Sequence, residues 1–123
     1  MPIHTLAEAI SHYGREAYLL TVAKDGPHIS NVTIEHNNGC IDCNVGSSAG
    51  KNIAHERNVS LFWPPTDPGD YALIINGTAT SEHRLTGVTV AAITVTKSVL
   101  HRLGPRPSDS DGPCGSDCRR LTL

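Results

Sequence analysis

The sequence predicts a mainly β domain: six antiparallel strands closing into a small barrel, with a short N-terminal helix and one helix between strands three and four. Three observations lead there. Six segments rich in apolar and β-branched residues are separated by turn chemistry at Asp25-Gly26 and Asn38-Gly39 and by a loop from Pro64 to Asp70. Only two segments carry helix start signals. Gly77 sits inside a long apolar segment, where a bulge or bend lets a sheet curl. So many hairpins exclude a doubly wound fold and favour closure of the sheet on itself.

Thr5 is the N-cap of the first helix, and Glu8 completes a capping box. Leu6, Ala9, Ile10 and Tyr13 recur at helical spacing, and Gly14 ends the helix. Ala17 to Ala23 follows as a strand, apolar at nearly every position, which predicts cover on both faces. After the Asp25-Gly26 turn, His28 to His36 returns. Asn37-Asn38-Gly39 turns again into Cys40 to Val45. Ser47 or Ser48 then caps a helix over Lys51 to Arg57. Val59 to Trp63, Tyr71 to Thr80 and Val88 to Thr96 are the remaining strands, and Val99 to Leu103 closes the domain as a last strand or turn. Residues 1–103 form this barrel domain. From Gly104 the chain turns to Pro, Gly, Ser, Asp and Cys, so the tail 104–123 needs the barrel or a partner subunit to order it.

At 123 residues the chain makes one domain, burying about two-thirds of the surface its unfolded form exposes. A net charge of −2, with ten scattered Lys and Arg, supplies no basic field, so nucleic acid and anionic membrane are excluded as primary partners. No apolar run reaches the roughly 20 residues of a membrane span. Met1 to Thr5 lacks the features of a signal peptide, so a cytoplasmic protein with reduced cysteines is expected.

The stretch Asn44 to Asn52 is where a strand hands over to a helix. A small, glycine-loosened turn of this kind leaves several N–H groups pointing one way. With the Ser47 and Ser48 hydroxyls and Lys51, they can hold a phosphate or another anion. An ordinary capped helix with a solvent-facing lysine fits the same residues.

The run Ala17-Tyr18-Leu19-Leu20-Thr21-Val22-Ala23-Lys24-Asp25-Gly26-Pro27-His28-Ile29-Ser30 resembles the pyridoxamine 5′-phosphate oxidase-like, FMN-binding split-barrel superfamily. The likeness continues through Gly39 to Lys51, Asn58 to Trp63 and Tyr71 to Ala79, covering roughly residues 6 to 103 as an ordered series of patterns. It implies a homodimeric split β-barrel that binds FMN, or alternatively a deazaflavin, in a groove between subunits. By the same resemblance Ser30, Asn31 and Val32 line the flavin with Asn44 beside them. Ser47, Ser48 and Lys51 face the phosphate, and Trp63 sits where the facing subunit completes the site. The chain departs from the oxidase proper, which has an arginine near Ser30 and an Arg-Lys pair where Gly50-Lys51 stands here. The oxidase's C-terminal substrate-binding segment is also absent. Vitamin B6 oxidation is therefore not expected. A flavin- or deazaflavin-dependent oxidoreductase acting on a small molecule is one reading. A non-catalytic binder of flavin, haem or another anionic ligand is the other.

Cys40 and Cys43 lie three apart on a strand, so their thiols diverge and read as packing residues rather than a metal or redox pair. Cys114 and Cys118 lie in a glycine-containing turn, where a disulfide or free thiols are expected ahead of metal. The seven histidines show no metal-binding spacing, and no serine sits in a nucleophile elbow.

Overall fold

The computed structural model describes residues 3–103 and 116–123. Its elements are α1 (Leu6–Tyr13), β1 (Glu16–Ala23), β2 (Gly26–Asn37), β3 (Cys40–Val45), α2 (Ser47–His55), β4 (Asn58–Trp63), β5 (Ala72–His83), β6 (Thr89–Leu103) and β7 (Ser116–Arg120). The strands run in the order β3-β2-β1-β4-β5-β6-β7, and β3 also pairs with β6. That last pairing closes β1 to β6 into an antiparallel barrel, as expected.

α1 forms where its signals lie. The Glu8 N–H donates to Thr5 Oγ1 at 3.2 Å, and the Thr5 hydroxyl donates to Glu8 Oε1 at 2.9 Å. Gly14 ends the helix at φ 93°, a left-handed conformation that glycine adopts without strain. Leu6, Ala9 and Ile10 face the core. The Asn38-Gly39 turn has positive φ at both residues, 47° and 81°, the conformation that suits a tight two-residue hairpin.

The structure corrects three expectations. β1 alternates instead of being covered on both faces: Ala17, Leu19 and Thr21 point inward, while Tyr18 and Val22 are exposed outside. α2 begins four residues early, with Gly46 as an N-cap that lends no side chain, so Ser47 and Ser48 lie in its first turn. β6 is one long strand where a break had been expected. Gly77 pairs with Val95 and Asn76 with Lys97, leaving Thr96 as the extra residue of a bulge. The bulge switches which residues face inward, from Ala91, Ile93 and Val95 before it to Ser98 and Leu100 after it.

β3 leaves β6 at Val45, and at the other end of β6 the strand β7 takes the same edge. The end of the tail is therefore held by its own barrel. Leu121 is buried and its N–H donates to the Ser98 carbonyl, while Thr122 pairs with the backbone just before α1. Cys118 lies in β7, not in a turn; Cys114 falls outside the described residues.

Candidate functional site

β2 is twice the length of β3, and this mismatch makes the site. The ladder between them spans Ile34 to Asn37 only. From Gly26 to Thr33, β2 pairs with β1 on one side and has no described strand on the other. Bonding directions alternate along an antiparallel strand. The Ile34 N–H donates to the Arg15 carbonyl on the β1 side, so main-chain groups of Ile29, Asn31 and Thr33 face the open edge. The chain leaving β3 turns into α2, which packs against β1, β5 and β6.

α2 is fixed to the barrel by its inner face. Ala49, Gly50 and Ile53 are buried. Asn52 Nδ2 donates to Thr21 Oγ1 at 3.0 Å, and Ser81 Oγ donates to the Gly50 carbonyl at 3.2 Å. Thr21 stands directly across the ladder from His28, so α2 reaches the barrel end where His28 and Ser30 turn inward. His28 Nδ1 and Ser30 Oγ are both buried and have no hydrogen-bond partner among the described residues. Buried polar atoms in folded proteins are nearly always bonded. Two such atoms, two residues apart on one face of a split strand, mark a place for a polar occupant.

The outer face of α2 carries Ser47, Ser48 and Lys51, all exposed and spaced at three and four residues. The Gly50 N–H closes the first helical bond to Gly46 at 3.0 Å, which leaves the N–H groups of Ser47, Ser48 and Ala49 without helical partners. These donors, the helix dipole and one ammonium are groups that could hold an anion.

The residues expected from sequence divide into groups. Ser30 and Val32 face inward, Val32 being buried in the core. Asn31 faces outward, as strand alternation requires. Asn44 also faces outward, in a polar depression of about 360 Å³ lined with Arg15, Thr33, Glu35, Asp42 and Arg84. Ser47, Ser48 and Lys51 are brought together. Trp63 lies in the core: it is 1% exposed, and its indole N–H donates to the Gly14 carbonyl at 2.9 Å.

His28 and Arg84 were missed. The alternation that brings in Ser30 also brings in His28, because residues two apart share a face. Arg84 sits in the exposed connection between β5 and β6, and only the closed β3–β6 pairing carries it to Asn44.

Cys43 packs in the core, while Cys40, three residues away on β3, is half-buried on the other face. Burial, with a smaller contribution from the Asp42 carboxylate, pushes the Cys43 thiol up to about 11, so it stays protonated at neutral pH. Among the described residues no cluster of His, Cys, Asp and Glu could hold a metal ion, and no helix is long and apolar enough to cross a membrane.

No family model matches the chain. Uncharacterised proteins of Mycobacterium bovis and Mycobacterium tuberculosis are 35% identical over 86 residues, a match that takes in 60% of this chain and 59% of theirs. The chain thus spans less than two-thirds of the curated relatives it matches. Among solved structures, a Clostridium acetobutylicum protein related to general stress protein 26, of the pyridoxinephosphate oxidase family, superposes with a TM-score of 0.66 at 11% identity, over 94% of this chain and 92% of that one. The haem-storage protein HutZ of Vibrio cholerae gives a TM-score of 0.59 at 12% identity, over 75% and 91%. An F420 reductase gives 0.54 at 14% identity, over 68% and 87%. Such identities speak for the fold alone. With its closed six-stranded barrel, its helix between strands three and four and these likenesses, the chain has the split-barrel fold of the pyridoxamine 5′-phosphate oxidase-like superfamily.

Proposed function

We propose that the chain is a flavin- or deazaflavin-dependent oxidoreductase acting on a small organic molecule, with FMN the first candidate cofactor. The cofactor would lie along the open edge of β2, its phosphate at the start of α2. The observation that carries this reading is the pair of buried, unbonded atoms His28 Nδ1 and Ser30 Oγ beside the unpaired edge of β2. A flavin ring presents polar edge atoms that such groups can bond, and its phosphate suits the cradle of Ser47, Ser48 and Lys51. When bound, the flavin would supply the hydride chemistry, while the protein contributes binding and orientation. The likeness to an F420 reductase supports this reading.

A second reading is favoured by the thinness of the cradle. A phosphate of about two negative charges would be met there by a single ammonium and no bidentate arginine, which removes one of the strongest phosphate contacts. A non-catalytic binder of flavin, haem or another anionic ligand fits such a site, and the likeness to a haem-storage protein supports it.

Lys51 decides where the anion sits. Charged hydrogen bonds contribute roughly 1.5–3 kcal/mol each, so Lys51→Ala should weaken FMN binding by about ten- to a hundredfold while leaving the fold intact. Fluorescence titration of FMN into wild type and variant reads this. Equal affinities would place the phosphate elsewhere. A wild type that binds neither FMN nor a deazaflavin at high micromolar concentration would assign the groove to another ligand.

A homodimer belongs to the same proposal. Across the outer face of the sheet, Tyr18, Phe62, Ile74 and Val99 stand in one cross-strand row. Together with Leu20 and Ile29, the first three line an apolar depression of about 430 Å³. Ile29 is 61% exposed, and water against so many apolar side chains is costly. A second copy covering this face would bury roughly 2,000 Å² or more if the contact is obligate, and it would lie beside the open edge of β2. Light scattering at micromolar concentration should return twice the mass of the 13.1 kDa chain; a monomer mass would end the dimer reading.

A further inference from the structure

Where β2 and β3 part, two opposite charges face one depression without pairing. The last rung of the β2–β3 ladder joins Ile34 to Cys43. Past it, Thr33 and Asn44 stand on either side of a fork, and β3 runs on against β6, with Asp42 across from Ala92 and Asn44 across from Val90. Residues two apart on a strand share a face, so Asp42 and Asn44 point outward together, and both are exposed. Arg84 reaches the same depression from the connection between β5 and β6. Its N–H donates to the Val88 carbonyl at 2.8 Å, and its carbonyl accepts from the Gly87 N–H at 2.9 Å, so a closed turn holds the backbone that carries the guanidinium. Along β6 the rungs follow in order: Arg84 at Val88, Asn44 at Val90, Asp42 at Ala92.

The depression, of about 360 Å³, is lined by two residues of each sign, Arg15 and Arg84 with Glu35 and Asp42. One pair is closed: Arg15 Nη2 lies 2.6 Å from Glu35 Oε1, and Arg15 Nε donates to the Ile34 carbonyl at 3.0 Å. The Thr33 hydroxyl donates to Glu16 Oε1 at 2.8 Å. Among the described residues, the side chains of Arg84, Asp42 and Asn44 make no hydrogen bond or ion pair. Glu82, across from Val90 in the same row, does not line the depression.

We propose that this depression binds a small zwitterion, a free α-amino acid, with its carboxylate on Arg84 and its ammonium on Asp42. Balanced charge disfavours simple ions here. A lone anion on Arg84 would face the Asp42 carboxylate, and a lone cation on Asp42 would face the guanidinium. Among the described residues no group of ligands could hold a metal ion. A zwitterion meets both charges at once. The guanidinium is a planar fork that takes a carboxylate through two parallel hydrogen bonds. The Asn44 amide, placed between the two charges by the register, can donate to the carboxylate and accept from the ammonium. The volume lies within the range of about 300–1,000 Å³ usual for small-molecule pockets. The site needs no flavin, so its test stands apart from the cofactor reading.

Thermal shift measurements on the full-length protein without flavin, against each proteinogenic L-amino acid at up to about 10 mM, find the preferred ligand. Titration calorimetry then gives its affinity. At about ten times its dissociation constant, the ligand should raise the melting temperature by about 5 °C. Arg84→Gln and Asp42→Asn should each weaken binding by about ten- to a hundredfold. Both side chains are exposed, so neither variant should shift melting in the absence of ligand. The N-acetyl and carboxamide derivatives of the same amino acid each lack one charge. Wild type should bind them about as weakly as the variants bind the parent, and Asp42→Asn should weaken the N-acetyl form no further. Failure of every amino acid at about 10 mM, equal affinities of variants and wild type, or derivatives that bind as well as the parent would overturn the proposal.

Discussion

Replacing Trp63 by alanine should lower the melting temperature by about 12–20 °C. The indole is 1% exposed and pairs across the sheet with Leu73, between the end of α1 and the barrel wall. Removing a fully buried tryptophan costs about 3–5 kcal/mol, because the contacts are lost and the cavity collapses only in part. For a domain of this size, each kcal/mol is about 4 °C. The Gly14 carbonyl, which now accepts from the indole at 2.9 Å, would lose that donor as well. Trp63→Phe separates the two contributions: it keeps most of the volume and should cost only about 1–2 kcal/mol for the hydrogen bond and residual void. The variant also discriminates between roles. A tryptophan stacked on a cofactor would lose ligand affinity and little stability, while a core tryptophan does the reverse. If Trp63→Ala melts within about 4 °C of wild type, the core assignment fails.

Trp63 shows why the site was harder to read than the barrel. Turns and caps are local: Thr5 with Glu8, Asn38-Gly39 and Gly14 each carry their chemistry within a few residues, and α1 and β3 form over the expected residues. Contacts between elements are not local. Trp63 shares a period-two face with Val59 and Leu61, and Phe62 shares the other with Ser60, so the alternation already turns Trp63 inward. The resemblance nevertheless set it at a subunit contact, and the register of β4 on β1 and β5 is what shows Phe62 in the outer row and Trp63 in the core. β7 was illegible for the same reason, since Ser-Asp-Cys-Arg-Arg has no alternation and becomes a strand because the edge of β6 accepts it. The site shares this dependence. Ser47, Ser48 and Lys51 are close in sequence and were found. His28 matters because β3 is too short to cover β2, a relation between strands that single residues do not announce.

The β6 bulge was half visible, and Gly77→Ala should show how much depends on it. A β carbon at Gly77 would stand 2.5 Å from the Thr94 carbonyl oxygen and 2.7 Å from Ile93 Cγ2. The nearer atom is backbone inside a paired strand, so it cannot rotate aside; β5 and β6 would have to separate. The φ of Gly77 is not in the left-handed region, so the requirement is space rather than conformation. The close approach exists because Thr96 is the extra residue opposite Gly77, and its hydroxyl donates to the Asn76 carbonyl at 3.1 Å. Overpacking of this kind costs about 2–3 kcal/mol, or about 8–12 °C in melting temperature. Gly50→Ala is the control. Its added carbon meets side-chain atoms alone, the Thr89 methyl at 3.0 Å and, in ordinary contact, Thr89 Cβ and Val45 Cγ2 at 3.9 Å. Alanine in a helix is favoured over glycine by up to about 1 kcal/mol, so this variant should melt within about 4 °C of wild type. Thermal unfolding of both decides the matter: if Gly77→Ala is as stable as Gly50→Ala, the strands part there without cost and the bulge is not what curves the barrel.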